Sequence, residues 1–190
     1  MSKQSEDFEK VSIYPVDDDV REQLLSIQIE CIFNWSTKDG WPMGVVMSCY
    51  WKHGRLWLTT GAQRHRVSAI RRDPRCSVVV TSTGTALGPG KTVTIKGRCV
   101  VHEDRETKDW FYPEFATHLS PHDPKNADDF RKRLDSPLRV IIEVIPEKYI
   151  TYDGMKMLQH SQGNLDESQL GEPMESDTLR LTREIERRGL

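Results

Sequence analysis

The sequence predicts a mainly β fold, α+β in detail, with about six or seven antiparallel strands closing into a barrel and helices flanking it. Three observations carry this. Short runs rich in Val, Ile, Thr and Trp recur between turn signals such as Lys38-Asp39-Gly40 and Lys52-His53-Gly54-Arg55. The stretch from Lys91 to His102 alternates, Thr92, Thr94 and Lys96 on one face and Val93 and Ile95 on the other. Helical periodicity is confined to short segments before and between these runs.

Taken in order, residues 1–16 are polar and are expected to form a flexible N-terminus. Asp17, Asp18 and Asp19 precede a 3.6-period stripe of Val20, Leu24, Leu25 and Ile27, which predicts a helix ending near Glu30. Cys31–Thr37, Trp41–Trp51 and Arg55–Thr60 then read as a three-stranded meander. A short helix around Val67, Ala69 and Ile70 stops at Asp73-Pro74, because proline pushes its predecessor out of the helical region. Cys76–Thr81 is a further strand. The glycine-rich loop from Ser82 to Gly90 lacks the spacing of a nucleotide-binding loop. Gly97 marks a bulge in the strand that follows.

Residues 104–134 read as helical in two pieces, interrupted by Pro113, Pro121 and Pro124. Leu138–Val144 and Tyr149–Tyr152 are the last strand segments, closing a domain over residues 17–155. Residues 156–190 form a charged tail, partly helical.

The chain has 190 residues and a formal net charge of −2, which argues against a general nucleic-acid binder and for a small anionic ligand at any local basic cluster. No apolar run approaches the roughly 20 residues of a membrane span, and no secretion signal is evident, so a cytoplasmic protein is expected. Cys31, Cys49, Cys76 and Cys99 form no metal-binding spacing and read as buried thiols. The basic cluster sits between the third and fourth strands, where Arg64, His65 and Arg66 precede the short helix and Arg71, Arg72 and Arg75 follow it. A guanidinium presents a planar fork of donors to phosphate, and a helix start adds backbone amides. Arg64 and Arg66 are therefore the candidate phosphate clamp. Arg71, Arg72 and Arg75 are expected to offset the C-terminal dipole of the helix.

The strand–Asp-Gly–Pro–strand element of residues 37–46, the segment WLTTGAQRHRVSAIRRDPRCSVVV, KTVTIKGRCVVH and RVIIEVIPEKYITYDG together resemble the flavin-binding split β-barrels, related to pyridoxamine 5′-phosphate oxidase and to deazaflavin-dependent reductases. The resemblance implies a homodimeric oxidoreductase that holds FMN at the subunit interface and moves a hydride to or from a small organic substrate. Its near alternative is the same fold holding the deazaflavin coenzyme F-420. A non-catalytic flavin or haem carrier is a third reading, with His65, His102 and His160 as the axial candidates.

Carried over by position, the ring would lie against Val45, Val46 and Met47 and against Leu58, Thr59 and Thr60. The phosphate would lie at Arg64, His65 and Arg66, with Thr92 and Lys96 near the polar ring edge. The clamp is richer in arginine and histidine than the family's Ser-Arg-Lys turn, and the C-terminal Arg and His that grip pyridoxal phosphate have no counterpart. No catalytic acid–base pair is legible.

Overall fold

The computed structural model describes residues 9–189, so the flexibility expected of residues 1–8 lies outside the described residues. Helix α1 (Asp18–Ile27) begins with Asp18 and Asp19 at its positive end and buries Leu24 and Leu25. Strand β1 (Glu30–Ser36) pairs with β2 (Pro42–Ser48) in register, from Glu30 opposite Ser48 to Ser36 opposite Pro42. Strands β3 (Tyr50–Lys52) and β4 (Arg55–Gly61) form a hairpin whose two turn residues, His53 and Gly54, both have positive φ (54° and 68°). That turn matches the right-handed twist of the strands it joins.

There follow α2 (His65–Arg72), β5 (Arg75–Thr81), β6 (Lys91–His102), α3 (Arg105–Leu119), α4 (Pro124–Leu134), β7 (Arg139–Asp153), α5 (Gly154–Ser161) and α6 (Glu175–Arg188). The seven strands make one antiparallel curled sheet, β2-β1-β5-β6-β7-β4-β3, flanked by six α-helices among the described residues.

The order corrects the expected meander. The run Trp41–Trp51 is two strands, broken at Cys49, whose amide still donates to Ile29 O at 2.9 Å. Beyond it the chain leaves β2 at one edge of the sheet and founds the opposite edge with β3. Two further expectations are revised. Helix α3 runs through Pro113, because Phe111, Tyr112, Phe115 and Ala116 anchor the buried side of that turn while the proline faces out. The two C-terminal strand segments are one, β7, continuous past Pro146.

Its continuity depends on a register shift between Lys96 and Gly97 of β6, which places Gly97 opposite Pro146. The bulge absorbs the missing proline amide. Gly97 is required there, since a Cβ would collide with the Ile145 carbonyl.

The barrel interior is filled by Phe33, Leu56, Leu58, Val78, Val80, Val93, Ile95, Ile142 and Val144. Each large side chain removed from water there contributes about 1.5–3 kcal/mol. β4 alternates strictly. Leu56 and Leu58 enter this core, while Trp57 packs with Phe111, Phe115, Leu134 and Ile141 under the α3–α4 hairpin. The helical hairpin thus covers the outer face of β4 and β7.

Residues 9–16 lie within the segment expected to be flexible, yet Ile13, Tyr14 and Val16 are buried. The C-terminal segment folds back on them. Lys156 Nζ donates to Pro15 O and Asp17 Oδ1 at 3.0 and 2.7 Å, Tyr14 Oη lies 2.8 Å from His160 Nδ1, and Gly171 N donates to Ile13 O at 2.8 Å.

Gly97→Ala is expected to lower unfolding free energy by about 1–3 kcal/mol, measured by equilibrium denaturation, with the bulged strand pair as the first region to lose amide protection.

Candidate functional site

Helix α2 begins at Arg64, whose extended backbone (φ −70°, ψ 140°) makes it the N-cap, with no side-chain capping bond. Arg64, His65 and Arg66 therefore stand at the positive end of a helix dipole, where a cation is unfavourable and an anion is favoured. This local conflict makes the start of the helix a candidate site. The Gly61–Gln63 turn holds the helix start, through Arg64 N to Gly61 O at 3.1 Å.

Two concavities meet at Arg64 and Arg66. One, of about 590 Å³, lies over the inner face of the β1–β2 hairpin and is walled by Trp35, Met43, Val45 and Ala69, with Lys38, His65 and Arg72 at its rim. The other, of about 420 Å³, lies between the ends of β2 and β4. Met47, Ser48, Thr59, Thr60 and Arg139 line it on one side, and Phe115, Phe130 and Leu134 of the helical hairpin on the other.

Arg66 spans the junction. Its Nη1 donates to Thr60 Oγ1 at 3.3 Å and approaches Met47 Sδ at 3.5 Å, and its guanidinium lies 5.7 Å from the Trp35 ring centroid. Burial, and then the neighbouring Arg64, hold its pKa below the usual arginine value. Arg139 Nη1 donates to Thr59 Oγ1 at 3.5 Å, and Thr59 in turn donates to Val140 O at 3.0 Å. Arg64, Arg66, Arg72 and Arg139 have no carboxylate partner among the described residues.

The remaining arginines of the segment are occupied. Arg71 pairs with Glu103, and Arg75 grips both oxygens of Asp73, Nη2 to Oδ2 at 2.6 Å. These two are structural, as expected. Arg72 differs: it donates to Ser36 O at 2.7 Å and borders the apolar concavity.

The expected site residues divide into three sets. Val45, Met47, Thr59, Thr60, Arg64, His65 and Arg66 come together in the groove. Leu58 has a fully buried side chain in the barrel core, so only its backbone is available near the groove. Val46, Thr92 and Lys96 lie on the outer face of the sheet, away from the groove of their own chain. Cross-strand register puts Val46, Ile32, Val79, Thr94 and Ile150 in one row across that face, with Val46 65%, Ile32 40% and Ile150 47% exposed. Arg139 and Lys38 are groove residues that the sequence reading missed, and Trp35, which reads as core or interface, also lines the groove. Arg139 arrives only through its pairing opposite Gly61.

Of the other candidates, His102 Nε2 is 2.9 Å from Glu143 Oε2, and His160 is held by Tyr14. Cys31, Cys49 and Cys99 are buried and Cys76 is half-buried, all as free thiols. A hydrogen bond with Cys49, then burial, pushes the Cys31 thiol pKa up, which keeps it unreactive. Among the described residues no group of three His, Cys, Asp or Glu could hold a metal, and no helix is long and apolar enough to cross a membrane.

The Arg75 clamp holds the Asp73 carboxyl down at about pH 2. A lowered pKa means that the turn after α2 gains from this pair above the unfolded value of about 3.9 and loses it as pH falls through 2. Carboxyl-carbon NMR is expected to show Asp73 titrating near 2. A midpoint near 4 contradicts the clamp.

No curated protein matches the chain. Among solved structures, the conserved hypothetical protein Rv2991 of Mycobacterium tuberculosis is 16% identical, with a TM-score of 0.66 over 82% of this chain and 92% of that one. A structure described as an F420 reductase is 20% identical, with a TM-score of 0.52 over 68% of this chain and 94% of the other. A FAD-binding protein of Mesorhizobium loti is 18% identical, with a TM-score of 0.54 over 72% and 94%. At these identities the likeness is one of fold. The pyridoxamine 5′-phosphate oxidase family model matches residues 16–153, the curled sheet together with the arginine groove, and the chain belongs to that family.

Proposed function

We propose that the protein is a flavin-dependent oxidoreductase that binds FMN in the two-lobed groove, works as a homodimer and transfers hydride to or from a small organic substrate. The observation that carries this is the convergence of Arg64, Arg66 and Arg139, none with a carboxylate partner among the described residues, on the positive end of α2 beside an apolar cavity. A phosphate answers the first feature and a flat aromatic ring the second. In this reading Arg64 and Arg66 bind the phosphate, and the Thr60 hydroxyl orients Arg66 by accepting its hydrogen bond. Trp35, Met43 and Val45 exclude water from the ring. When bound, the flavin supplies the hydride chemistry, and the chain supplies position and charge.

The deazaflavin coenzyme F-420 is the second reading. Arg72 lies two turns along α2 from the clamp and, with Lys38, leaves cations without carboxylate partners at the rim of the apolar lobe. An acidic tail beyond the phosphate would use them.

The dimer reading rests on the outer sheet face. Val46, Ile32 and Ile150 are apolar and exposed in its central row, and Thr92 and Lys96 lie on the same face beside that row. β2 presents Val45 and Met47 to the groove and Val46 to that row, so a second copy packed there borders the site.

Fluorescence titration with FMN and F-420 side by side tests the reading. Arg66→Ala is expected to weaken binding about ten- to a hundredfold, the worth of one charge-assisted hydrogen bond, with an unchanged circular dichroism spectrum. Wild-type affinity in that variant refutes the clamp, and tighter F-420 than FMN binding selects the deazaflavin. A Soret band in the purified protein selects the haem carrier. Val46→Glu is expected to convert a dimer to a folded monomer in light scattering, and an unchanged mass excludes the outer face as the interface.

A further inference from the structure

We infer that the arginine groove holds two anions on opposite faces of β4: the cofactor phosphate at Arg64 and Arg66 and, at Arg139, the carboxylate of the small organic substrate. That the second anion belongs to a substrate rests on the flavin reading above. That Arg139 binds an anion apart from the clamp rests on strand geometry.

Successive side chains of a strand point to opposite faces, and residues paired across an antiparallel ladder share a face. In β4, Leu56 and Leu58 enter the barrel core, and Thr60 follows them on that face. Trp57 lies under the α3–α4 hairpin, and Thr59 and Gly61 follow it on the other face. Arg66 is anchored on the barrel face, where it donates to Thr60 Oγ1 at 3.3 Å. Arg139 pairs opposite Gly61, as Ile141 of the hairpin cluster pairs opposite Thr59, and its Nη1 donates to Thr59 Oγ1 at 3.5 Å. The two guanidiniums are therefore held on different faces of one strand, and the cavity of about 420 Å³ that both line wraps its end. A phosphate seated on Arg64 and Arg66 leaves Arg139 unanswered.

The charge on Arg139 is not cancelled nearby. No Asp or Glu lines the cavity. The carboxylates on the two helices that wall it are engaged elsewhere. Asp109 and Asp135 share Arg105 at 2.5 and 2.6 Å, with Lys108 also acting on Asp135. Asp128 holds Arg131 and Lys132 at 2.9 and 2.6 Å, Asp129 faces Lys132 at 4.0 Å, and Glu114 holds Lys52. A second observation points to the same place. Tyr112 is 1% exposed, Thr59 and Arg139 are among the groups that act on it, and its hydroxyl is buried with no hydrogen-bond partner. Burial raises its pKa, so it stays a neutral O–H donor. Buried polar groups without a partner are few in native proteins, and an unspent donor beside Thr59 fits an acceptor seated there. One guanidinium matches the single charge of a carboxylate, and its fork takes both oxygens. Phe115, Phe130 and Leu134 wall this side, which suits a short apolar or aromatic body on that acid.

The test is isothermal titration of the full chain with benzoate, with and without saturating FMN, at constant ionic strength. The wild-type protein is expected to bind benzoate saturably in both cases. Arg139→Gln is expected to weaken benzoate binding by about tenfold or more and to leave FMN affinity within about twofold of wild type, and Arg66→Ala is expected to do the reverse. Arg139→Lys keeps the charge, retains more benzoate affinity than Arg139→Gln, and replaces it should that variant fail to fold. Three results overturn the proposal: no saturable benzoate binding, displacement of benzoate by FMN or F-420, or a loss of FMN affinity in Arg139→Gln as large as in Arg66→Ala, which assigns all three arginines to one phosphate. Arg139-dependent benzoate binding in a protein that binds neither flavin refutes the flavin reading and upholds Arg139 as a carboxylate site.

Discussion

The pairing of β6 with β7 is the constraint on which the rest of the molecule depends. It is the longest contact in the sheet, running from Lys91 opposite Asp153 to His102 opposite Ile141. One end of β7 reaches β4 and the helical hairpin, and the other reaches the N-terminal segment. A straight ladder could not serve both. The register shift at Lys96 and Gly97, with Pro146 opposite, lets one strand turn through the barrel corner without leaving a buried amide unpaired. Arg139 and Asp153 are thereby fixed at opposite ends of a single rigid element, and the groove inherits its geometry from that placement.

The groove runs against local stability. Basic residues at a helix N-terminus, an N-cap without a side-chain bond and a partly buried arginine near another arginine each cost free energy. The surrounding packing offsets these terms. Ala69 and Ile70 bury α2 against the sheet, and Arg71 and Arg75 are each matched to a carboxylate. The contrast within one short segment is informative: charges that serve the scaffold are paired, and charges that face the groove are not.

Much of this was legible in the sequence, and what was not has a physical reason. The alternation of Lys91–His102, the turn at His53-Gly54 and the stop at Asp73-Pro74 are local signals, and they placed β6, the β3–β4 hairpin and the end of α2 closely. The motif order pointed to the family, and the residues flanking α2 pointed to the groove. Strand order was not legible, because the apolar run Trp41–Trp51 hides the break at Cys49, and nothing local says that the chain there crosses from one edge of the sheet to the other. Arg139 was missed for the same reason, since its place opposite Gly61 is a long-range pairing. Trp35 reads as core from its sequence neighbours and is both core and groove wall. The burial of Tyr14 depends on a tail more than a hundred residues away, which no periodicity reveals.

That last contact has a consequence for how the molecule opens. Residues 13–17 and 153–171 hold each other through Tyr14 and His160, Lys156 and Asp17, and Gly171 and Ile13. The strands between them are enclosed in a noncovalent ring. Neither flank can fray by itself, because each supplies the partner for the other's buried polar groups. The two flanks therefore form one cooperative unit of local unfolding, and the sheet's order of opening is set at this seam and not at whichever end of the chain is nearer.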